Sequence, residues 1–500
     1  MYKIKLQSTS TLTNLSGISV YFTLLTKLKF FKKINSIFSC YHPTQGWDAA
    51  SIIIIIMVIN LTGYSSVTDI NYLIADNGFV MIFKEFIRKQ MSSSEYRNWL
   101  RRFNAKCNGT LPSPTVLRTF LEEFHLDNMV GKKGTAKIHA NSEYLNKADQ
   151  LLNVLVEQAY IKAGTPKLLT IDQDATISNT CKSTALYCYE KYKAYQPVNC
   201  YSPELDSIIA SQFRDGNVPA KMGLMTMMKD TLKNLPNGID TIHIRSDSAA
   251  YNHDYIRSMC DGSLSDKHTI KFAISALMTK SIKQQYNMSK EGSWRELDKQ
   301  QDYVEVEHVD DKIGVDHKLR LILIRTKISN YEAKSFISAP TSQQLELSLE
   351  YHEDLMVSNS IELEESGQSY KVRAILSNRE ILVDTKRLIY WARKRAGKSE
   401  GVHSVQKSDL AGGRFPSSKF GANAAWWMIT NLTIALHAIV SLVSLSKELK
   451  GKRFKELRAK IINTVAKIST ASRGFVIILS NVMHHNYIVN IIKKIELAYQ

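Results

Sequence analysis

One stretch, residues 168–176 (LLTIDQDAT), constrains this chain more than any other. Leu168, Leu169 and Ile171 are apolar and follow Gly164 and Pro166, so the run reads as a short buried strand. The same strand carries Asp172 and Asp174. Residues two apart on a strand face the same way, which sets the two carboxylates side by side. Like charges that close are unfavourable unless a cation stands between them or one acid keeps its proton. Two readings follow: a strand end whose acids face water, or a strand end that holds a metal ion.

A second stretch, residues 241–251 (TIHIRSDSAAY), favours the metal. Ile242 and Ile244 alternate with His243 and Arg245, which predicts another strand, and Asp247 follows at its end among Ser246, Ser248 and Ala249. Small neighbours let a large polar ligand approach. Magnesium takes oxygen ligands, usually one or two carboxylates with substrate phosphates and water. Two strand acids and a later glutamate suit a two-metal phosphoryl-transfer site.

The charge balance points to the same class of partner. The 500 residues carry a formal net charge of +18, an excess of Lys and Arg that suits a polyanion, most simply nucleic acid. Hydrophobic content of 44% is that of a globular chain, and the length calls for two to four domains. Six scattered cysteines (Cys40, Cys107, Cys181, Cys188, Cys200, Cys260) form no CxxC pair, which excludes a zinc ribbon or a disulfide scaffold and fits a reducing cytoplasm. Lys3 and Lys5 precede no clean apolar run with a small-residue cleavage site, so no signal peptide is expected. Residues 51–61 (SIIIIIMVINL) are too few to cross a bilayer and predict a buried helix. Residues 422–445 are interrupted by Asn423, Thr430, Asn431, His437 and Ser441, which predicts a core helix and no membrane partner.

Along the chain, residues 1–150 read as mainly helical. Ser113-Pro114-Thr115 marks a helix start, and Arg101, Arg102, Lys106 and Arg118 lie close by in sequence, as in either a DNA-gripping helix-turn-helix or a plain bundle. From about 165 to 280 the pattern alternates strand and helix. Residues 187–196 (YCYEKYKAYQ) predict a strand whose tyrosines mostly pack on a neighbour; the alternative is a surface that stacks on bases. Residues 285–380 carry three alternating runs, around Val304, Leu321 and Tyr370, and read as β-rich. A basic helix then follows, containing WARKRAGKSEGVHSVQK, in which Arg393, Glu400 and Lys407 are spaced by seven and would share one helical face. The basic run 447–460 reads as a solvated helix face, with DNA backbone contact as the sharper alternative.

Taken together, TIDQDAT, FRDGNVPA, IRSDSAAY and RAGKSEGVHSVQKSDLAGGRFPSSKFGANAAWW resemble the DDE transposases of bacterial insertion sequences, most closely the insertion-sequence-thirteen-eighty group. The resemblance runs over about 45 to 465, and its last segment is the most specific. It implies an α/β fold: an RNase H-like catalytic core with a β-rich insertion, plus helical N-terminal and C-terminal regions. The expected division is 1–150 (DNA-binding helices), 151–284 (first part of the core), 285–380 (insertion) and 381–500 (core completion and C-terminal helices). Glu400 follows Asp247 by 153 positions, which leaves room for the insertion.

The resemblance also implies Asp174, Asp247 and Glu400 as catalytic and metal-binding residues for Mg²⁺, with Mn²⁺ as a substitute, and Asp172 as structural or assisting. Asp174 is preferred because the family's acid is closely followed by Thr, here Thr176. Related transposases carry a Tyr–Arg–Glu–Lys signature around the glutamate. Lys407 matches its Lys, whereas the place of its Arg holds Ala396, with Arg395 and Arg393 nearest. Arg393, Arg395, Lys398, Lys407 and Arg245 are the expected DNA contacts. The implied partners are double-stranded transposon ends and target DNA, bound by a homodimer in the bacterial cytoplasm at the nucleoid. Two alternatives remain open at this level: an RNase H-like nuclease without strand joining, and an inactive copy that only binds DNA.

Overall fold

The computed structural model describes residues 11–41, 46–106, 109–308, 312–314, 319–329, 360–363, 368–471 and 474–500. The chain divides into two compact units, both discontinuous in sequence. One comprises Met1–Thr165, Ala175–Pro219 and Glu400–Gln500; the other comprises Pro166–Asp174 and Ala220–Ser399.

The first unit is mainly helical. Its centre is the Ala49–Thr62 helix, AASIIIIIMVINLT, in which every residue is buried. A helix apolar on all sides has no face to give to water and belongs in a core. Asp48 caps it by accepting from the Ser51 amide at 2.9 Å, and Gly63 ends it at φ 84°, a conformation open to glycine. The Phe420–Ser444 helix packs against it and against the Glu143–Lys162 helix. Phe420–Ser444 is long and apolar enough to cross a membrane, but 78% of its most apolar window is buried inside the protein, as expected of a core helix. Two polar side chains in this core have backbone partners: Asn60 donates to the Leu410 carbonyl at 2.8 Å, and Trp426 donates to the Ala411 carbonyl at 3.0 Å. The strands of this unit are short. β1 (Leu12–Thr13) pairs with β14 (Ala466–Ala471), which pairs with β15 (Gly474–Leu479). β3 (Ser178–Asn179) pairs with β4 (Ala194–Tyr195), and β5 (Val198–Ser202) with β6 (Ser207–Gln212).

The predicted basic helix over 447–460 is not one helix. A turn is followed by the short Phe454–Leu457 helix and a wider π turn, Arg458–Ile462. Arg453 binds Asp409 through two contacts of 3.1 Å, and Arg458 donates to the Leu61 carbonyl at 2.8 Å and to that of Asp409. Both arginines therefore brace the fold, while Lys447, Lys450, Lys452 and Lys455 remain exposed.

The second unit is built on a sheet. β2 (Leu168–Ala175), β7 (Thr241–Ser246) and β8 (Thr269–Ala276) run parallel, with helices Leu224–Lys233 and His253–Cys260 in the connections. Strands in such a sheet are buried on both faces, which matches their β-branched runs. The sheet continues antiparallel through β13 (Ser369–Ser377), β11 (Leu319–Ile328), β10 (Gln301–His308) and β9 (Arg295–Asp298), and β12 (Ser360–Leu363) pairs with β13. These strands are the β-rich segment expected over 285–380; its positions 309–311, 315–318, 330–359 and 364–367 lie outside the described residues. Leu388 and Ile389, on the Thr385–Ser404 helix, pack into a core with Ala273, Leu297, Tyr303, Ile322, Ile324 and Ile375. That packing fixes the helix against the extended sheet. The architecture is of the expected α/β class: a large mixed sheet with a β-rich extension and helical terminal regions.

Candidate active site

The register of two neighbouring strands builds the site. β2 and β7 pair in parallel with Asp172 opposite Arg245 and Gln173 opposite Ser246. The next residues, Asp174 and Asp247, therefore leave the carboxyl ends of adjacent strands side by side, where strand spacing is about 4.8 Å. Both are only partly exposed.

Asp172 and Asp174 share a strand face but not an environment. Asp172 is 1% exposed and receives a bidentate pair from Arg245, at 2.6 and 2.7 Å. Arg245 is 3% exposed, and its third contact goes to the Trp391 carbonyl at 2.8 Å. Its guanidinium also lies 5.1 Å from the centre of the Trp391 ring. This corrects the expectation that Arg245 contacts DNA. The guanidinium is committed inside the fold, where it neutralises Asp172 and ties β7 to the Thr385–Ser404 helix. Asp172 is thereby held inside the fold by two bonds.

Asp174 sits at the open end. Burial pushes its carboxyl up to about 6, Arg395 opposes that shift from 3.0 Å, and the charge of Asp247 adds to it. Asp247 caps the short turn that follows β7, accepting from the Ala249 amide at 3.0 Å, and so its carboxylate is oriented. Gln173, buried between the two acids of β2, holds the surroundings. It donates to the Leu224 carbonyl at 3.0 Å and accepts from Tyr255 at 3.0 Å, and its own carbonyl accepts from Ser246 at 2.9 Å. Sequence reading missed Gln173 and Trp391, since only the register shows which side chains they meet.

The remaining candidates are placed as follows. Glu400 is exposed, on the Thr385–Ser404 helix, and falls in the helical unit. Among the described residues no three His, Cys, Asp or Glu side chains stand close enough to hold a metal ion. Lys407, in the same unit as Glu400, donates to the Ile177 carbonyl at 3.1 Å. It lies in a π turn, Val405–Asp409, which interrupts the α-helical period behind the expected common face for Arg393, Glu400 and Lys407. Arg393 is half-buried, and burial lowers its pKa. The side chain of Lys398 lies outside the described residues. After the π turn, Gly412 is required by close approach, because a Cβ there would stand 2.7 Å from the Gln406 carbonyl oxygen.

The donor set at the strand ends fits a hard divalent cation. It offers oxygen only, from two oriented carboxylates whose mutual repulsion a cation would relieve.

Comparison with known proteins bears on what such a site does. No curated protein matches the chain. Among solved structures it is similar to the piggyBac transposase, seen in a cryo-EM structure of its synaptic complex with hairpin DNA. The TM-score is 0.42 and the identity 11%, over 89% of this chain and 79% of that one. The family model described as transposase DDE domain group 1 matches residues 8–498, nearly the whole length, and the chain belongs to that family of transposases.

Proposed function

We propose that this transposase belongs to the insertion-sequence-thirteen-eighty group, cuts the ends of its element and joins them to target DNA by metal-dependent phosphoryl transfer. The observation that carries the reading is the pair Asp174 and Asp247 on adjacent parallel strand ends, in a chain that matches the DDE family over residues 8–498. Asp174 and Asp247 would hold Mg²⁺, with Glu400 as the third carboxylate and Mn²⁺ as a substitute. The ions supply charge neutralisation at the phosphate and a nucleophile at neutral pH. Water attacks a phosphodiester at the element end, the P–O bond to the 3′ oxygen breaks, and a 3′-hydroxyl is left. That hydroxyl then attacks a target phosphodiester, so that one new P–O bond forms as one breaks.

The chain's own residues position these steps. The Arg245–Asp172 pair clamps β7 to β2 just below the strand ends. Arg395, on Asp174 at 3.0 Å, would meet the incoming phosphate, and Arg393, Lys398 and Lys407 are the further proposed DNA contacts. Exposed Arg101, Arg102, Lys106 and Arg118, on the Ser93–Lys106 and Pro114–Glu122 helices, provide a second basic surface for element ends. Two ends must be held together to be joined, so a homodimer on double-stranded DNA is the expected working form, in the cytoplasm at the nucleoid.

The test is cleavage of labelled element-end DNA in Mg²⁺ by the wild type and by Asp247→Asn and Glu400→Gln, with a gel shift on each preparation. Both variants should bind DNA and fail to cut it, because phosphate contacts come from Lys and Arg. Wild-type cutting by Asp247→Asn would remove the metal-site reading.

A further inference from the structure

Residues 187–196 do not pack their tyrosines as the sequence suggests. Tyr187, Tyr189 and Tyr192 are 59%, 66% and 38% exposed, and only Tyr195 is buried. The reason is local. Residues 187–193 form a tight hairpin: Tyr187 bridges to Lys193, the Cys188 amide donates to the Tyr192 carbonyl at 2.9 Å, and the Lys191 amide donates to the Cys188 carbonyl at 3.0 Å. Lys191 adopts φ 64° to close the turn. Buried Ala185, Cys188, Ala194 and Tyr195 form the foot, and Tyr195 packs edge-on to Phe415 at 4.7 Å between ring centres. The apolar positions are thus filled at the foot, and three phenol rings are left at the tip of an ordered turn.

We infer that this hairpin binds DNA that offers unpaired or end-exposed bases, with the tyrosine rings as stacking surfaces. The inference rests on the DNA-cutting reading above and adds the form of DNA. Charge favours an anion: Lys182, Lys191 and Lys193 stand against the single Glu190 in this segment, within a chain of net charge +18. Rings interleaved with cations suit a strand whose backbone is held by charge and whose bases stack. An intact duplex hides its base faces, and only ends, nicks and single strands present them. A reaction that cuts DNA produces such ends. Glu190 accepts from the Tyr192 hydroxyl at 2.5 Å, which holds that ring's edge and leaves its face available.

The experiment compares full-length protein on two labelled DNAs of equal duplex length, one blunt and one with a single-stranded 3′ overhang. The wild type should bind the overhang DNA more tightly. Tyr187→Ala/Tyr189→Ala should lose about tenfold or more on overhang DNA, the loss of one to two stacked bases, with little change on blunt DNA. The corresponding Phe substitutions keep the rings and should keep the preference. A base analogue such as 2-aminopurine in the overhang should be quenched on binding to the wild type, a measurement that does not depend on any variant folding. Equal affinity of the wild type for both DNAs, or an overhang whose analogue is not quenched, would overturn the inference. An oligomeric state changed by the Ala variants with DNA affinity untouched would assign the face to a second copy of the chain instead. A wild type that binds neither DNA would sink the DNA-cutting reading itself.

Discussion

The helical core of one unit and the strand ends of the other treat polar groups in opposite ways. Around the Ala49–Thr62 helix, polar groups that enter the core meet neutral partners: Asn60 the Leu410 carbonyl, Trp426 the Ala411 carbonyl, and His437 the Tyr21 hydroxyl at 2.9 Å. At the ends of β2 and β7 a conflict between like charges remains at the opening. Asp172 is paired with Arg245 through two bonds, whereas Asp174 is pushed up to about 6 by burial, is met by Arg395 at 3.0 Å and is crowded by Asp247. A region selected for stability alone would not set two carboxylates on adjacent strand ends. The comparison teaches where the fold has kept a local conflict, and such conflicts concentrate at functional sites.

The largest expected effect falls on the unresolved side of that contrast. Asp247→Asn should lower cleavage of end DNA by at least about a hundredfold, since metal neutralisation supplies several kcal/mol of barrier reduction. Its melting temperature should hold or rise, because a like charge beside Asp174 has gone. A large fall in melting temperature would show Asp247 to be a structural cap.

Next comes the completed pair. Arg245→Leu leaves Asp172 buried without its partner and should destabilise the fold by about 3–5 kcal/mol in chemical denaturation. The double change Asp172→Leu/Arg245→Leu should recover most of that loss while cleavage stays impaired. Full recovery of cleavage would remove the positioning role given to the pair.

The helical core predicts a smaller, pH-dependent effect. Removal from water pulls His437 down from 6.5 to about 4. Between those values the unfolded chain binds a proton that the folded chain does not, so stability is present above about 6.5 and is lost as pH falls towards 4. The loss should reach about 2–3 kcal/mol by pH 4, at roughly 1.4 kcal/mol per pH unit. His437→Gln should flatten that part of the profile, and an unchanged slope in urea midpoints between pH 6.5 and 4.5 would remove His437 as its cause.

The smallest effect tests completion itself. Asn60→Leu keeps the apolar surroundings but leaves the Leu410 carbonyl without its donor, at a cost of about 1–3 kcal/mol. A neutral result would mean that the carbonyl finds another partner in the core.

Much of this was legible in the residues because it depends on local pattern. The strongly apolar run at 51–61 predicted a buried helix. Ser113-Pro114 placed a helix start where Pro114–Glu122 begins, with the Ser113 side chain accepting from Val116. Alternation around Val304, Leu321 and Tyr370 predicted β10, β11 and β13. Two-residue spacing put Asp172 and Asp174 on one face. Where the pattern misled, a tight turn or a partner distant in sequence was responsible. The tyrosines of 187–196 suggested a packed strand, but a turn at Tyr189 and Glu190 lifts the rings off the foot. The basic run 447–460 suggested a solvated face, but Arg453 and Arg458 are drawn to Asp409.

By itself the sequence determined the elements, the order in which they come and the residue types available for chemistry, since period, capping and composition act over a few residues. The tertiary structure alone decided which acid is enclosed in the fold and which stands at the open strand end. Asp172 and Asp174 are indistinguishable by spacing, and the choice between them comes from the β2–β7 register. That register sets Arg245 opposite Asp172 and leaves Asp174 beside Asp247. Register is a relation between strands more than 70 positions apart, fixed by burial of whole strand faces, and no local pattern encodes it.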